Sequence, residues 1–296
     1  MRRTETIDVS HTRKALSEGN AQSTLDGARH AVGQVDSFDM TVTSVADDVR
    51  LATPVIRPGL KSLKGPSYPL LSNDDIKAVN PQAPIVYDIS DPEGDDKGSG
   101  NYVYPTTPLM KPGSLDITHF TVSADEKNAY FKMAFRDLSD PGWHPEYGFQ
   151  LTYVAIAIDK DNRPGSGQTA IGMNSNCSID PEFAFETIIY VGGGLRVADS
   201  KGKVLAEYIP RTGDERNPLG NTLTKEIRFA LPFSVLGRPS QSWRYTVLIG
   251  CQDDHGGAGL GDFRAVEARA KEWIGGGRKR ASEPNVYDSI TPIDQH

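Results

Sequence analysis

An antiparallel β-sandwich over residues 81–296, preceded by an irregular or loosely helical arm over residues 1–80, is the architecture this sequence predicts. Three observations predict it. From residue 83 onward, short apolar runs are separated by turn residues at strand-like spacing. The 29 glycines and 20 prolines favour many turns over long helices. Seven or eight such runs with few helical segments point to two packed sheets.

The first run, IVYDI (85–89), reads as a strand. LDITHFTVSA (115–124) and NAYFKMAFRDL (128–138) alternate with period two around the polar turn SADEKN (123–128), so they form a hairpin. FQLTYVAIAID (149–159) is the longest strand candidate. FAFETIIYVGG (183–193), GKVLAEYIP (202–210) and TKEIRFALP (224–232) follow. YTVLIGCQD (245–253) is almost continuously apolar, which places it centrally with both faces covered. Short helices are expected at PFSVLG (232–237) and VEARAKEW (266–273). The glycine triplets at 192–194 and 275–277 read as turns. The first 80 residues hold only Phe38 and Tyr68 as aromatics, and PVIRPGLKSLKGPSYP (54–69) reads as an extended linker.

Composition removes several function classes. A net charge of −7 argues against nucleic acid as the main partner, because phosphate binding needs concentrated basic surface. No run approaches the ~20 apolar residues of a membrane helix. MRRTETIDVSHTRK has no apolar stretch behind its arginines and is not read as a signal peptide. Cys177 and Cys251 pair in an oxidising compartment or remain buried thiols.

The densest acidic stretch is YDISDPEGDDKGSG, with Asp88, Asp91, Glu93, Asp95 and Asp96. Carboxylates so close repel unless a cation lies among them, and calcium takes six to eight oxygens from such loops. The competing reading is a solvated turn in which aspartates cap backbone amides. Asp159 and Asp161 start a second acidic loop, but Ala170 stands where a calcium loop would place its closing glutamate, so a plain loop is expected. Asp253, Asp254 and His255 end the apolar run at 245–253, where a structural role outweighs zinc. No G-x-S-x-G elbow, G-x-G-x-x-G or P-loop is present. Asp137 and Asp140 are the best available acid pair for glycoside chemistry, and nothing else supports catalysis.

The aromatics carry more. Sugar faces present C–H patches that pack on flat rings, while polar neighbours bond the hydroxyls. Trp143 lies in the Pro/Gly-rich loop SDPGWHPEYG with His144 and Tyr147, a candidate stacking platform unless its indole folds back over the sandwich edge. Trp243 is expected in the core, and Trp273 is expected to pack a short helix onto the sheet.

At these residues a resemblance emerges. DPEGDDKGSGNYVYPTTPLMKPGSLDITHFTV (91–122), PGWHPEYGFQLTYVAIAID (141–159) and GCQDDHG through EWIGGGRKRASEPNVYDSITP (250–292) together resemble the C-terminal, DOMON-like domain of glucodextranases. That domain is similar to family 9 carbohydrate-binding modules. The resemblance implies an antiparallel sandwich with structural calcium in the 91–96 loop and Asp288 of the closing strand near it. It also implies a polysaccharide or cell-surface glycan as partner and an extracellular or cell-surface location. Phe183 and Phe185 stand where such a domain leads one to expect a tryptophan. The expected function is therefore a non-catalytic carbohydrate-binding or cell-surface module. Two alternatives remain: a structural subunit that uses the N-terminal arm in a larger assembly, and a haem b electron-transfer module drawing on Met110, Met133, His119 and Lys271.

Overall fold

A computed structural model describes residues 67–213 and 218–292. The expectations for residues 1–66, including a partner-wrapping arm, lie outside the described residues. The described residues form an all-β sandwich of two antiparallel sheets. One has five strands, β1 (Ile85–Ser90), β2 (Ile117–Ala124), β3 (Asn128–Phe135), β8 (Gly220–Asn221) and β9 (Glu226–Pro232), in the order β1-β2-β3-β9-β8. The other runs β11-β10-β4-β5-β6-β7, with β12 also paired to β10. Its strands are β4 (Thr152–Asp159), β5 (Thr187–Gly192), β6 (Gly194–Asp199), β7 (Val204–Tyr208), β10 (Arg244–Asp253), β11 (Asp262–Phe263) and β12 (Asp288–Ile290).

Side-chain alternation explains the first sheet. β3 buries every second residue, so Phe131, Met133 and Phe135 face inward. Phe131 stacks on Phe229 of β9 at 4.8 Å and 11°. Across the core, β4 supplies Val154, Ile156 and Ile158, and β10 supplies Val247 and Ile249. All eight residues of β4 are buried, because a second apolar cluster covers the opposite face. Tyr153, Ala155 and Ala157 meet Ile171 and Phe185 there, which come from the long excursion between β4 and β5. β10 is likewise buried on both faces, as its apolar run predicts.

Two local expectations change. The Gly-Gly-Gly turn at 192–194 is followed directly by β6, which the sequence reading passes over; β5 and β6 form a tight hairpin with Gly192 opposite Gly194. The helix expected over 266–273 does not form, since that backbone is engaged elsewhere. Asn285 Oδ1 accepts from Val266 N, Gly275 O from Glu267 N and Ile274 O from Lys271 N. The carbonyls of Lys271 and Glu272 accept from Thr106 N and Thr107 N. Within the stretch read as arm, a short helix α1 (Asn73–Ile76) starts at a Ser72 capping box and places Ile76 fully in the core. Leu70 forms a parallel bridge to Glu207 of β7. The short helix expected near 232–237 is present as α2 (Phe233–Leu236). Trp243 is buried in the core, as expected. Both cysteines are free thiols.

Candidate functional site: an aromatic cleft and a carboxylate cluster

The Pro/Gly loop between β3 and β4 is held in shape by its own polar groups. Asp140 Oδ1 accepts from Gly142 N, and buried Gln150 accepts from Trp143 N through Oε1. This lifts the Trp143 indole out of the fold, leaving it 46% exposed. Trp273 leans against it, ring centroids 5.6 Å apart at 57°. The two rings make one angled apolar wall, and Trp273, expected to pack a helix, is part of it because that helix is absent. The wall borders a cleft of about 460 Å³ whose lining also includes His144, Leu151, Asp253, Asp254, His255 and Arg264. That volume lies within the ~300–1,000 Å³ of small-ligand sites. Leu151 and His255 hold left-handed backbone, φ 70° and 53°, uncommon for non-glycine residues.

Two of the three expected ligand residues, Trp143 and His144, line this cleft. Tyr147 does not. It is 4% exposed, stacks beneath His144 at 4.9 Å and accepts a hydrogen bond from Gly259 N. Its role is to brace the loop, since a Tyr three residues after His144 returns to the core. The sequence reading missed Arg264, and it gave Asp253 and Asp254 only a structural strand-end role. The polar D-D-H-G-G run directly after a buried strand was the available signal for the two aspartates.

The acidic loop sorts its members sharply. Asp91, Asp95 and Asp288 each place one carboxylate oxygen within 4.8 Å of the others. Asp288 reaches them because β12 pairs with β10 at Ile249. Its buried carboxyl accepts from Ile117 N and Ser289 N. Burial, with the charges of Asp91 and Asp95, pushes it up to about 8. Asp116 lies next to this loop, accepting from Gly94 N and Arg136. Burial raises its carboxyl too, and its Oδ1 is buried without a hydrogen-bond partner among the described residues. Asp96 instead accepts from the Tyr104 hydroxyl and lies 3.8 Å from Arg136. Asp88 turns outward to His119 at 2.6 Å and Thr121 at 2.8 Å.

Other expectations are separated in space. Met133 faces the core opposite Phe120, while His119, the residue before Phe120 on β2, turns to Asp88 on the outer face. Lys271 pairs with Glu267 at 2.5 Å. Asp137 accepts from Leu138 N and Lys111, and Asp140 caps its own loop. Asp159 and Asp161 meet Glu186, but Asp159 is committed to Arg244 and Asn162 N.

Residues 86–296 match the family described as the C-terminal, SLH-like binding module of glucodextranase. The chain belongs to that family. The match spans β1 to the C-terminus, so the module contains both the cleft and the carboxylate cluster. No curated protein matches the chain. Among the described residues, the module has no helix long and apolar enough to cross a membrane.

Proposed function

We propose that this chain is a non-catalytic carbohydrate-binding module acting outside the cell or at its surface, with the glycan seated in the Trp143–Trp273 cleft. The observation that carries this reading is the exposed Trp143 indole, set against Trp273 at the mouth of a polar cleft. A pyranose face packs on such a wall through its C–H groups while carboxylates and imidazoles meet its hydroxyls. Membership of a binding-module family supports a binding role for that cleft. Trp143→Ala should abolish retention of the protein by polysaccharide in affinity electrophoresis and leave melting nearly unchanged. A large fall in melting temperature would make Trp143 a packing residue instead. Absence of retention of the unaltered protein by any α-glucan or cell-surface polysaccharide would sink the reading.

The proposal includes one structural calcium held by Asp91, Asp95 and Asp288. Three hard oxygen donors within 4.8 Å, one on a buried strand, fit that ion, and backbone carbonyls of the loop could complete its shell. When bound, calcium supplies the positive charge that lets all three carboxylates ionise together. Asp288 then ties the closing strand to the loop after β1.

A further inference from the structure

Resting on the glycan reading of the cleft, we infer that it selects uncharged glycans, whose adjacent hydroxyls donate to Asp253 and Asp254, and turns away acidic ones. The hydrogen-bonding capacity left over in the cleft decides this. Asp253 Oδ1 already accepts from His255 N at 3.0 Å and lies 3.2 Å from Arg264 Nη2. Asp254 Oδ1 accepts from Gly256 N at 2.9 Å. Among the described residues, none donates to Oδ2 of either aspartate. Arg264, the one cationic side chain in the lining, is turned onto Asp253 and donates through Nε to the Gln252 carbonyl at 3.0 Å.

The histidines do not reverse the balance. His144 lies 3.3 Å from the buried Glu146 carboxylate, and His255 lies 3.3 Å from Asp262. A proton on either ring is matched by a carboxylate beside it. The uncommitted valences are therefore acceptors, and the local charge is negative. A ligand that complements them brings O–H donors. The carboxylate of a uronate, or a sulfate or phosphate group, brings only acceptors and a like charge at short range. An ammonium would match the charge and gain a cation–π contact on the indole face, so the discrimination these acceptors impose falls between neutral and acidic glycans. A neutral sugar with neighbouring free hydroxyls meets both walls at once.

The test uses the intact chain in affinity electrophoresis at about 0.15 M salt, where exposed charges beyond ~8 Å are screened. Dextran, pullulan and soluble starch are compared with their carboxymethyl derivatives, and Trp143→Ala marks retention that belongs to the cleft. Retention by the neutral polymer should exceed that by its carboxymethyl form by about tenfold or more, the scale of a lost charged hydrogen bond. Asp254→Asn keeps the oxygen that caps Gly256 N, so it should fold normally. It should narrow that ratio below about threefold, weakening neutral retention and easing the rejection of the anion. Equal or stronger Trp143-dependent retention on the carboxymethyl polymer would overturn the inference while leaving the glycan reading intact. So would an unchanged ratio in folded Asp254→Asn. Retention by none of these polymers, nor by any cell-surface polysaccharide, would remove the reading and the inference together.

Discussion

Asp288 makes the cation proposal measurable through pH. In the unfolded chain its carboxyl releases the proton near 3.8, whereas in the cation-free fold burial and the charges of Asp91 and Asp95 hold the proton up to about 8. Between those values the folded state binds a proton that the unfolded state has released. Stability therefore falls as pH rises across the window, and the contribution is gone above about 8. Each pH unit is worth about 1.4 kcal/mol, so the whole span amounts to on the order of 5 kcal/mol. Calcium bound at the proposed site should reverse the slope, because ion binding displaces that proton and strengthens as pH rises. At a hundredfold excess over its dissociation constant it stabilises the fold by about 2.7 kcal/mol. The assay is thermal melting from pH 4.5 to 8, once in a chelator and once in millimolar calcium, with elemental analysis of dialysed protein. The chelated protein should lose melting temperature toward pH 8 and calcium should restore it there. Asp288→Asn should flatten the chelator curve and abolish the calcium effect. A chelator curve that is flat or rises with pH, or melting indifferent to calcium at pH 8, would refute the reasoning.

Two further predictions concern the supports of the cleft. A methyl group at Gly193 would sit 2.0 Å from the Gly259 carbonyl oxygen and 2.8 Å from the Tyr147 ring. Gly193→Ala should therefore cost about 1–3 kcal/mol of stability and displace the 253–261 loop, weakening glycan retention; unaltered melting would contradict the packing account. Tyr147→Phe removes the acceptor for Gly259 N, so it should cost about 1 kcal/mol in denaturant unfolding and reduce retention only modestly. Complete loss of retention at full stability would place Tyr147 against the ligand.

Much of the architecture is written locally in the chain. β2 and β3 alternate cleanly around a polar turn, and β10 is apolar throughout, so period and run length are enough to identify them. β6 escaped because glycine at 192–194 reads as a loop when it closes a tight hairpin; Gly193 is needed for the close approach of Gly259. VEARAKEW has helical composition, yet its backbone bonds to residues 106, 107, 274, 275 and 285, and tertiary pairing overrides local preference. The site followed the same division. Trp143 was legible because its loop declares itself through Pro and Gly. Trp273, 130 positions later, joined it only through the missing helix. Arg264 and Asp116 carried no local signal, since each gains its meaning from neighbours far away in sequence: Asp116 bonds Gly94 N, 22 positions earlier.

The central claim is that sugar meets indole in the cleft, and tryptophan emission reads that contact directly. The chain has three tryptophans, and Trp243 is buried in the core, so a ligand-induced change reports Trp143 and Trp273. Titration with a neutral glucan that retains the protein should give a saturable blue shift, as sugar displaces water from the exposed Trp143 ring. The shift should vanish in Trp143→Ala. Emission that stays constant while the glucan is bound would place the sugar elsewhere, and a shift that persists in Trp143→Ala would show that the Trp143 ring is not needed for binding; either result contradicts the account.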